Sequence, residues 1–262
     1  MSTTSRLLRS DADTAGATRT YLYGVVRRAD VRAIRNEGVA GAGIVSIDHG
    51  EIAALTSAIP GTGEIRARRR DLLRHSDVVQ EAFAAGPVVP LRFGTVAASA
   101  SSVVDDLLAP RHDELLDLLE SFDGLAELSV RAFYREEEVL GALVREDARV
   151  GRLREAARAE GATRQLQLEL GEAVAKALER KRARDADAVL AAVGRVAQEI
   201  SIQERGSELE VLRASVLVDR RDVPRVDRAL DELARSRARD MLFKYLGPLP
   251  PHSFVSLRFG AG

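Results

Sequence analysis

From residue 136 to about residue 182 the chain is dominated by Ala, Glu, Arg and Leu with very few turn residues, and short β-branched runs lie on both sides of this stretch. That arrangement excludes an all-β sandwich and an all-helical bundle together. Strands gathered before and after a helical block predict an α+β chain: two small mixed sheet-and-helix domains joined by long charged helices. The expected organisation is a flexible arm over residues 1–19, an N-terminal α+β domain over 20–135, a helical segment over 136–198, and a C-terminal α+β domain with a Pro-rich tail over 199–262.

Individual elements follow from period and turn chemistry. Tyr21-Leu22-Tyr23-Gly24-Val25-Val26 is aromatic and β-branched, which predicts a strand. Runs at 43–47 and 51–56 flank Asp48-His49-Gly50, a turn triplet, and predict a hairpin. Over 71–84, Leu72, His75, Val79, Ala82 and Phe83 recur at helical spacing. Pro87 and Pro90 keep residues 87–96 extended. Ser101 or Ser102 is positioned to cap a helix through Leu108, a further helix is expected over 113–122, and Gly124 opens a strand over 125–134. In the charged block Leu166, Leu170, Val174, Ala177 and Leu178 form an apolar seam; Val189, Leu190 and Val193 mark a second helix from Asp185 to Val196. Two such stripes predict a helical hairpin or short coiled coil, with Gly161 as a break in the first helix. Strands at 199–203 and 211–218, a helix over 223–237 and a strand over 241–249 complete the pattern.

Composition then removes function classes. The 39 basic and 40 acidic residues leave a formal net charge of −1, without the basic excess of a general nucleic-acid binder. There is no cysteine, hence no disulfide, thiolate nucleophile or Cys-based metal site. The first 19 residues carry no apolar core of a secretory signal, and no apolar run is long enough to span a bilayer, so the chain reads as cytoplasmic.

The search for chemistry returns little, and no catalytic, cofactor-binding or metal residue is assigned. Four histidines are present, and no Ser lies in a Gly-x-Ser-x-Gly elbow. His49 falls in the hairpin turn and His112 at a helix start; His75, on an apolar helix face, is the best placed general base, although a buried, hydrogen-bonded histidine is the commoner role. Glu136, Glu137 and Glu138 fit a helix start. Gly61-Thr62-Gly63 lacks the residues that complete a phosphate loop. The arginines at 66, 68, 69 and 70 could meet phosphates but more often form a solvated face. Two segments resist such explanations. One is Val89-Pro90-Leu91-Arg92-Phe93-Gly94-Thr95-Val96, where Arg92 stands alone in an apolar stretch and reads as a buried linchpin or an interface residue. The other is the proline-rich Leu246-Gly247-Pro248-Leu249-Pro250-Pro251-His252-Ser253-Phe254-Val255.

With these segments the chain resembles the gas vesicle protein F/L family. The family's Tyr-x-Tyr-x-Val-Val strand matches Tyr21, Tyr23, Val25 and Val26, and its Pro-Leu-Arg-Phe-Gly-Thr-Val core matches Pro90, Leu91, Arg92, Phe93, Gly94, Thr95 and Val96. Its closing Leu-Gly-Pro-x-Pro-Pro-Tyr-x-Phe-Val matches Leu246, Gly247, Pro248, Pro250, Pro251, Phe254 and Val255, with His252 in place of Tyr; a Leu-Gly-Glu segment matches Leu170, Gly171 and Glu172. The resemblance implies an accessory protein of gas vesicle assembly, a minor structural component or an assembly factor, that carries no chemistry of its own. It implies binding to the small, very apolar major shell protein and to other accessory proteins, with the motif residues as interface candidates and no cofactor. The alternative is a small-molecule-binding or enzymatic domain, which requires His75 and Arg92 to converge in one pocket.

Overall fold

The computed structural model describes residues 18–32, 34–61, 66–159 and 163–256. The expectations for Thr62 and Gly63 and for a break at Gly161 lie outside the described residues, as does the arm expected over 1–19 except at Thr18 and Arg19, which are corrected to the first residues of a strand. The chain is α+β, with two antiparallel sheets and seven α-helices among the described residues. It divides into two compact units: one takes the chain through Gly124 together with the segment from Pro250 on, the other takes Leu125–Leu249.

The first unit is built on β1 (Thr18–Arg27), β2 (Val45–His49), β3 (Ile52–Pro60), α1 (Arg69–Ala85), β4 (Val88–Pro90), β5 (Val96–Ala97), α2 (Ala100–Val103) and α3 (His112–Ser121). The sheet order is β2-β3-β1-β4, and β5 also pairs with β1. Every residue of β1 from Tyr21 to Val26 is buried, as a central strand covered on both faces must be. The pairing of β1 with β3 slips at Tyr23: Leu22 stands opposite Thr56 and Gly24 opposite Leu55, so Tyr23 is the extra residue of a β-bulge. Gly24 lets β4 approach; a Cβ there would lie 2.9 Å from the Val89 carbonyl oxygen.

The face of α1 differs from the sequence expectation in one respect. Asp71, His75, Val78, Val79, Ala82 and Phe83 are buried, whereas Leu72 is 42% exposed. Leu72 is on the rim of the stripe, where spacing alone does not separate core from solvent. The helix start near residue 101 is also displaced: the side chain of Ser99 accepts the Ser102 N–H, so Ser99 is the cap, and after Val103 the chain widens into a π-turn over Val104–Leu108.

The second unit holds β6 (Leu125–Tyr134), α4 (Glu136–Glu146), α5 (Ala148–Arg158), α6 (Arg164–Gly194), β7 (Ala197–Ile202), β8 (Glu210–Asp219), α7 (Val223–Ser236) and β9 (Met241–Leu249). Its sheet runs β7-β8-β6-β9. Leu128, Val130, Ala132 and Tyr134 of β6 alternate into one core with Ala214, Val216 and Val218 of β8, Val189 and Val193 of α6, and Val226 and Leu230 of α7.

Three expectations are corrected here. Residues 125–134 were assigned to the N-terminal domain, yet β6 is a central strand of the second sheet, paired with β8 and β9. The helical segment over 136–198 does not stand apart as a connector: α4, α5 and α6 all lie in the second unit. The expected pair of helices meeting near residue 183 is one continuous helix, α6. Its seam residues Leu170, Val174 and Leu178 pack with Leu143 of α4 and Val150 and Leu153 of α5. A stripe records that a helix has a partner, but not which one.

Charged groups brace this unit. Glu210 is fully buried; it accepts from Arg131 Nε at 2.7 Å, from Arg213 Nε at 3.1 Å and from the Gly206 N–H. Burial alone would raise its pKa, but these donors outweigh it and bring the carboxyl to about 2. Asp185 of α6 accepts from Tyr134 Oη at 2.7 Å and from Arg237 Nη1 at 3.0 Å.

Candidate functional site

Three family-motif residues of the first unit, Tyr21, Tyr23 and Phe93, meet around His75 in one knot. Tyr21 and Tyr23 project from β1 toward α1, their ring centroids 4.8 Å apart, and the His75 ring stacks on Tyr23 at 5.5 Å. Phe93 completes the group, 5.8 Å from His75 and 6.1 Å from Tyr21. The hydrogen bonds assign every polar atom. Gly94 N–H donates to Tyr21 Oη at 3.1 Å, Tyr21 Oη donates to His75 Nδ1 at 2.9 Å, and His75 Nε2–H donates to the Leu91 carbonyl at 3.1 Å. Val39 N–H donates to Tyr23 Oη at 2.7 Å, and Tyr23 shares a 2.8 Å bond with Ser57 Oγ.

The Leu91 carbonyl can only accept, so Nε2 of His75 carries a proton; with the ring neutral, Nδ1 is the acceptor for Tyr21. Its pKa is pushed down to about 4, chiefly by burial and then by the nearby His252. Burial likewise drives the pKa of both Tyr21 and Tyr23 upward. The knot is therefore locked in its uncharged form at neutral pH, and it fastens the loop after β4 to β1 and α1.

Arg92 is not in this knot. It is exposed, and its main-chain carbonyl accepts the Thr95 hydroxyl at 2.7 Å. Of the two expectations for Arg92 the buried linchpin is corrected, while exposure is compatible with the other, an interface residue; Arg92 opens a turn in which Gly94 takes φ +91. His75 and Arg92 do not converge, and both nitrogens of His75 are engaged within the core. Pro90 is buried opposite Gly24 in β4. Pro250 and Pro251 are buried and Phe254 half-buried within the first unit, whereas Gly247 and Pro248 belong to β9 in the second. Gly247 is required by close approach, since a Cβ there would meet Leu128 and the Glu127 carbonyl. Among the described residues no group of three or more His, Asp or Glu side chains is arranged to hold a metal ion.

What the sequence did not disclose is a cleft beside β2. Its volume is about 290 Å3 and its lining includes Val31, Ile34, Ile44, Val45 and Leu55. A narrower hollow shares Val31, Ile34 and Leu55 and continues to Val26, Ala82 and Ala85. Arg32 lines both, its Nη1 turned back on the carbonyls of Ala29 and Val31. Among the described residues β2 pairs only with β3, so its outer edge presents main-chain donors and acceptors, and Val45 is 60% exposed. The lining of the cleft falls within residues 31–55, from the loop before β2 and the β2–β3 hairpin, and no periodic pattern marks it. The hairpin turn is pinned separately: His112 of α3 approaches Asp113 at 3.1 Å and Glu51 at 3.0 Å, and both carboxylates raise its pKa.

The first unit thus combines an aromatic knot, a strand β2 that among the described residues pairs on one side, and a cleft lined by apolar side chains together with Arg32 and Ser46. The same fold occurs in the crystal structure of the gas vesicle protein GvpF from Anabaena sp. PCC7120, with a TM-score of 0.81 at 19% identity over 92% of this chain and all of that one. The sequence pattern described as "Gas vesicle synthesis protein GvpL/GvpF" matches residues 19–256, and the chain belongs to that family. Among its relatives, gas vesicle protein F of Streptomyces sp. (strain CB03234) is 33% identical over 241 residues, covering 90% of this chain and 99% of that one. Gas vesicle protein L2 of Halobacterium salinarum is 27% identical over 228 residues, covering 81% and 80% of the two chains. Among the described residues no helix is long and apolar enough to cross a membrane.

Proposed function

We propose that this chain is a gas vesicle accessory protein that binds the apolar shell protein during assembly, in the cytoplasm and together with other vesicle proteins, and that it acts by binding rather than catalysis. Family membership supports the gas vesicle role. The observation that carries the binding mode is the unpaired β2 edge above the apolar cleft. An extended segment laid along β2 gains main-chain hydrogen bonds from the edge, while alternate side chains enter the cleft beside Val31, Ile34 and Val45. Such capture suits a subunit whose apolar surface aggregates when left bare. The roles of Arg92, Phe93 and Thr95 divide accordingly: Phe93 and Thr95 hold the loop, Thr95 through its bonds to the Arg92 carbonyl and the Leu22 N–H, and exposed Arg92 faces a partner.

The test is co-purification of the tagged chain with the major shell protein, comparing the parent with Val45→Lys and Arg92→Ala. Val45 is exposed, so Val45→Lys keeps its circular dichroism spectrum and loses about tenfold in shell-protein retention. Full retention by a folded Val45→Lys, or none by the parent, refutes capture at β2.

A further inference from the structure

The arginines at 66, 68, 69 and 70 form a second, separate surface. All four are exposed, and among the described residues none of their side chains makes an ion pair or hydrogen bond. Other arginines of the chain do find carboxylates: Arg27 with Asp123, Arg74 with Glu37, Arg180 with Asp147, Arg237 with Asp240. The arginines also lie where they are least welcome. Arg69 opens the 17-residue helix α1, whose N-terminus carries the positive end of the helix dipole. No side chain caps that terminus, and the acidic residue of the first turn, Asp71, is buried, within 3.4 Å of the Ala40 N–H. Among the described residues Asp71 is the one carboxylate in the first turn of α1, and the arginines otherwise repel one another and the dipole.

A second observation gives the patch its character. Leu72 and Leu73, one turn further along α1, are 42% and 54% exposed. Leu73 falls on the outer face of the helix directly after Arg69 and Arg70, so cations and apolar side chains share one surface. A phosphate backbone would answer the arginines and leave both leucines in water. A protein segment with carboxylates and apolar side chains interleaved answers both, and its carboxylates can also accept the uncapped N–H groups of α1.

We infer that the start of α1 is a docking surface for an acidic, leucine-bearing segment of another protein, distinct from the β2 cleft. The arginines supply long-range attraction and the leucines the desolvated contact.

The experiment uses the full chain and three fluorescein-labelled probes. One is a peptide of roughly 16 residues that alternates paired Glu with paired Leu, the second replaces Glu by Gln, and the third is an oligo-dT strand of similar length. Anisotropy should show binding of the acidic peptide that weakens with salt and falls about tenfold in Arg66→Gln/Arg68→Gln/Arg69→Gln/Arg70→Gln. It should also fall in Leu72→Ser/Leu73→Ser. The quadruple variant should melt at or above the parent temperature, because it relieves repulsion at the helix start; this separates lost docking from lost folding. The inference is overturned if the acidic peptide binds no better than its Gln counterpart. It is equally overturned if the quadruple variant binds unchanged, or if oligo-dT binds more tightly with the same arginine dependence. Val45→Lys serves as a control and leaves this binding intact, so failure here is distinguishable from failure at β2.

Discussion

Acidification below about pH 6.5 should destabilise this chain through His75. The ring is 5% exposed, with Nδ1 accepting from Tyr21 and Nε2 donating to Leu91, and no carboxylate is bonded to either nitrogen. A proton on Nδ1 would break the Tyr21 bond and place a charge in the aromatic knot. The folded pKa of about 4 lies below the unfolded value of 6.5, so the unfolded chain takes the proton first. Stability from the neutral ring is complete above 6.5 and is lost as pH falls through 6.5 toward 4. At about 1.4 kcal/mol per pKa unit the full loss is about 3.5 kcal/mol, of which about 2.5 kcal/mol is gone by about pH 4.5. The assay is urea denaturation, followed by circular dichroism, of parent and His75→Gln between about pH 7.5 and 4.5. His112, whose pKa is raised, acts in the opposite sense but equally in both proteins, so the difference isolates His75. The advantage of the parent over the variant should shrink by about 2.5 kcal/mol on acidification. A difference that stays constant with pH would refute the neutral, Nε2-protonated assignment.

Three further perturbations follow from the packing. A Cβ at Gly38 would press on the Tyr23 hydroxyl and Ile44, so Gly38→Ala should cost about 2 kcal/mol in chemical denaturation. Glu210→Gln should destabilise the second unit by about 2 kcal/mol at neutral pH, the part-exposed Arg131 and Arg213 moderating the loss. Because the folded pKa of Glu210 is depressed from 4.5 to about 2, this penalty should fade as pH drops from 4.5 toward 2, which denaturation at low pH would measure. Ala183→Pro probes the continuity of α6: in mid-helix it removes the bond to the Glu179 carbonyl and should cost about 3 kcal/mol with loss of helical signal, whereas a loop at that point would tolerate it.

The sequence alone determined what depends on near neighbours. The β2–β3 hairpin follows from two apolar runs around Asp48-His49-Gly50, and α1, α3 and α7 follow from apolar spacing, because turn geometry and helical period are set within a few residues. The family likewise was legible in Pro90-Leu91-Arg92-Phe93-Gly94-Thr95-Val96 and the closing prolines. Tertiary structure decided the rest. The strand beginning at Leu125 reads the same whichever sheet it joins, and only pairing with β8 and β9, whose residues lie some 80 to 120 positions on, commits it to the second unit. The seam of α6 shows an apolar face but not that α4 and α5 cover it. Apolar neighbours make Arg92 read as a buried linchpin or an interface residue, and only the fold shows it exposed, at the start of a turn in which Gly94 takes φ +91. The knot around His75 is assembled from segments far apart in the chain, and the cleft beside β2 takes shape only when the loop at 31–34 folds against the hairpin. Their chemistry exists only once the sheet has closed, because burial and hydrogen bonding are properties of the packed environment and not of the residues that enter it.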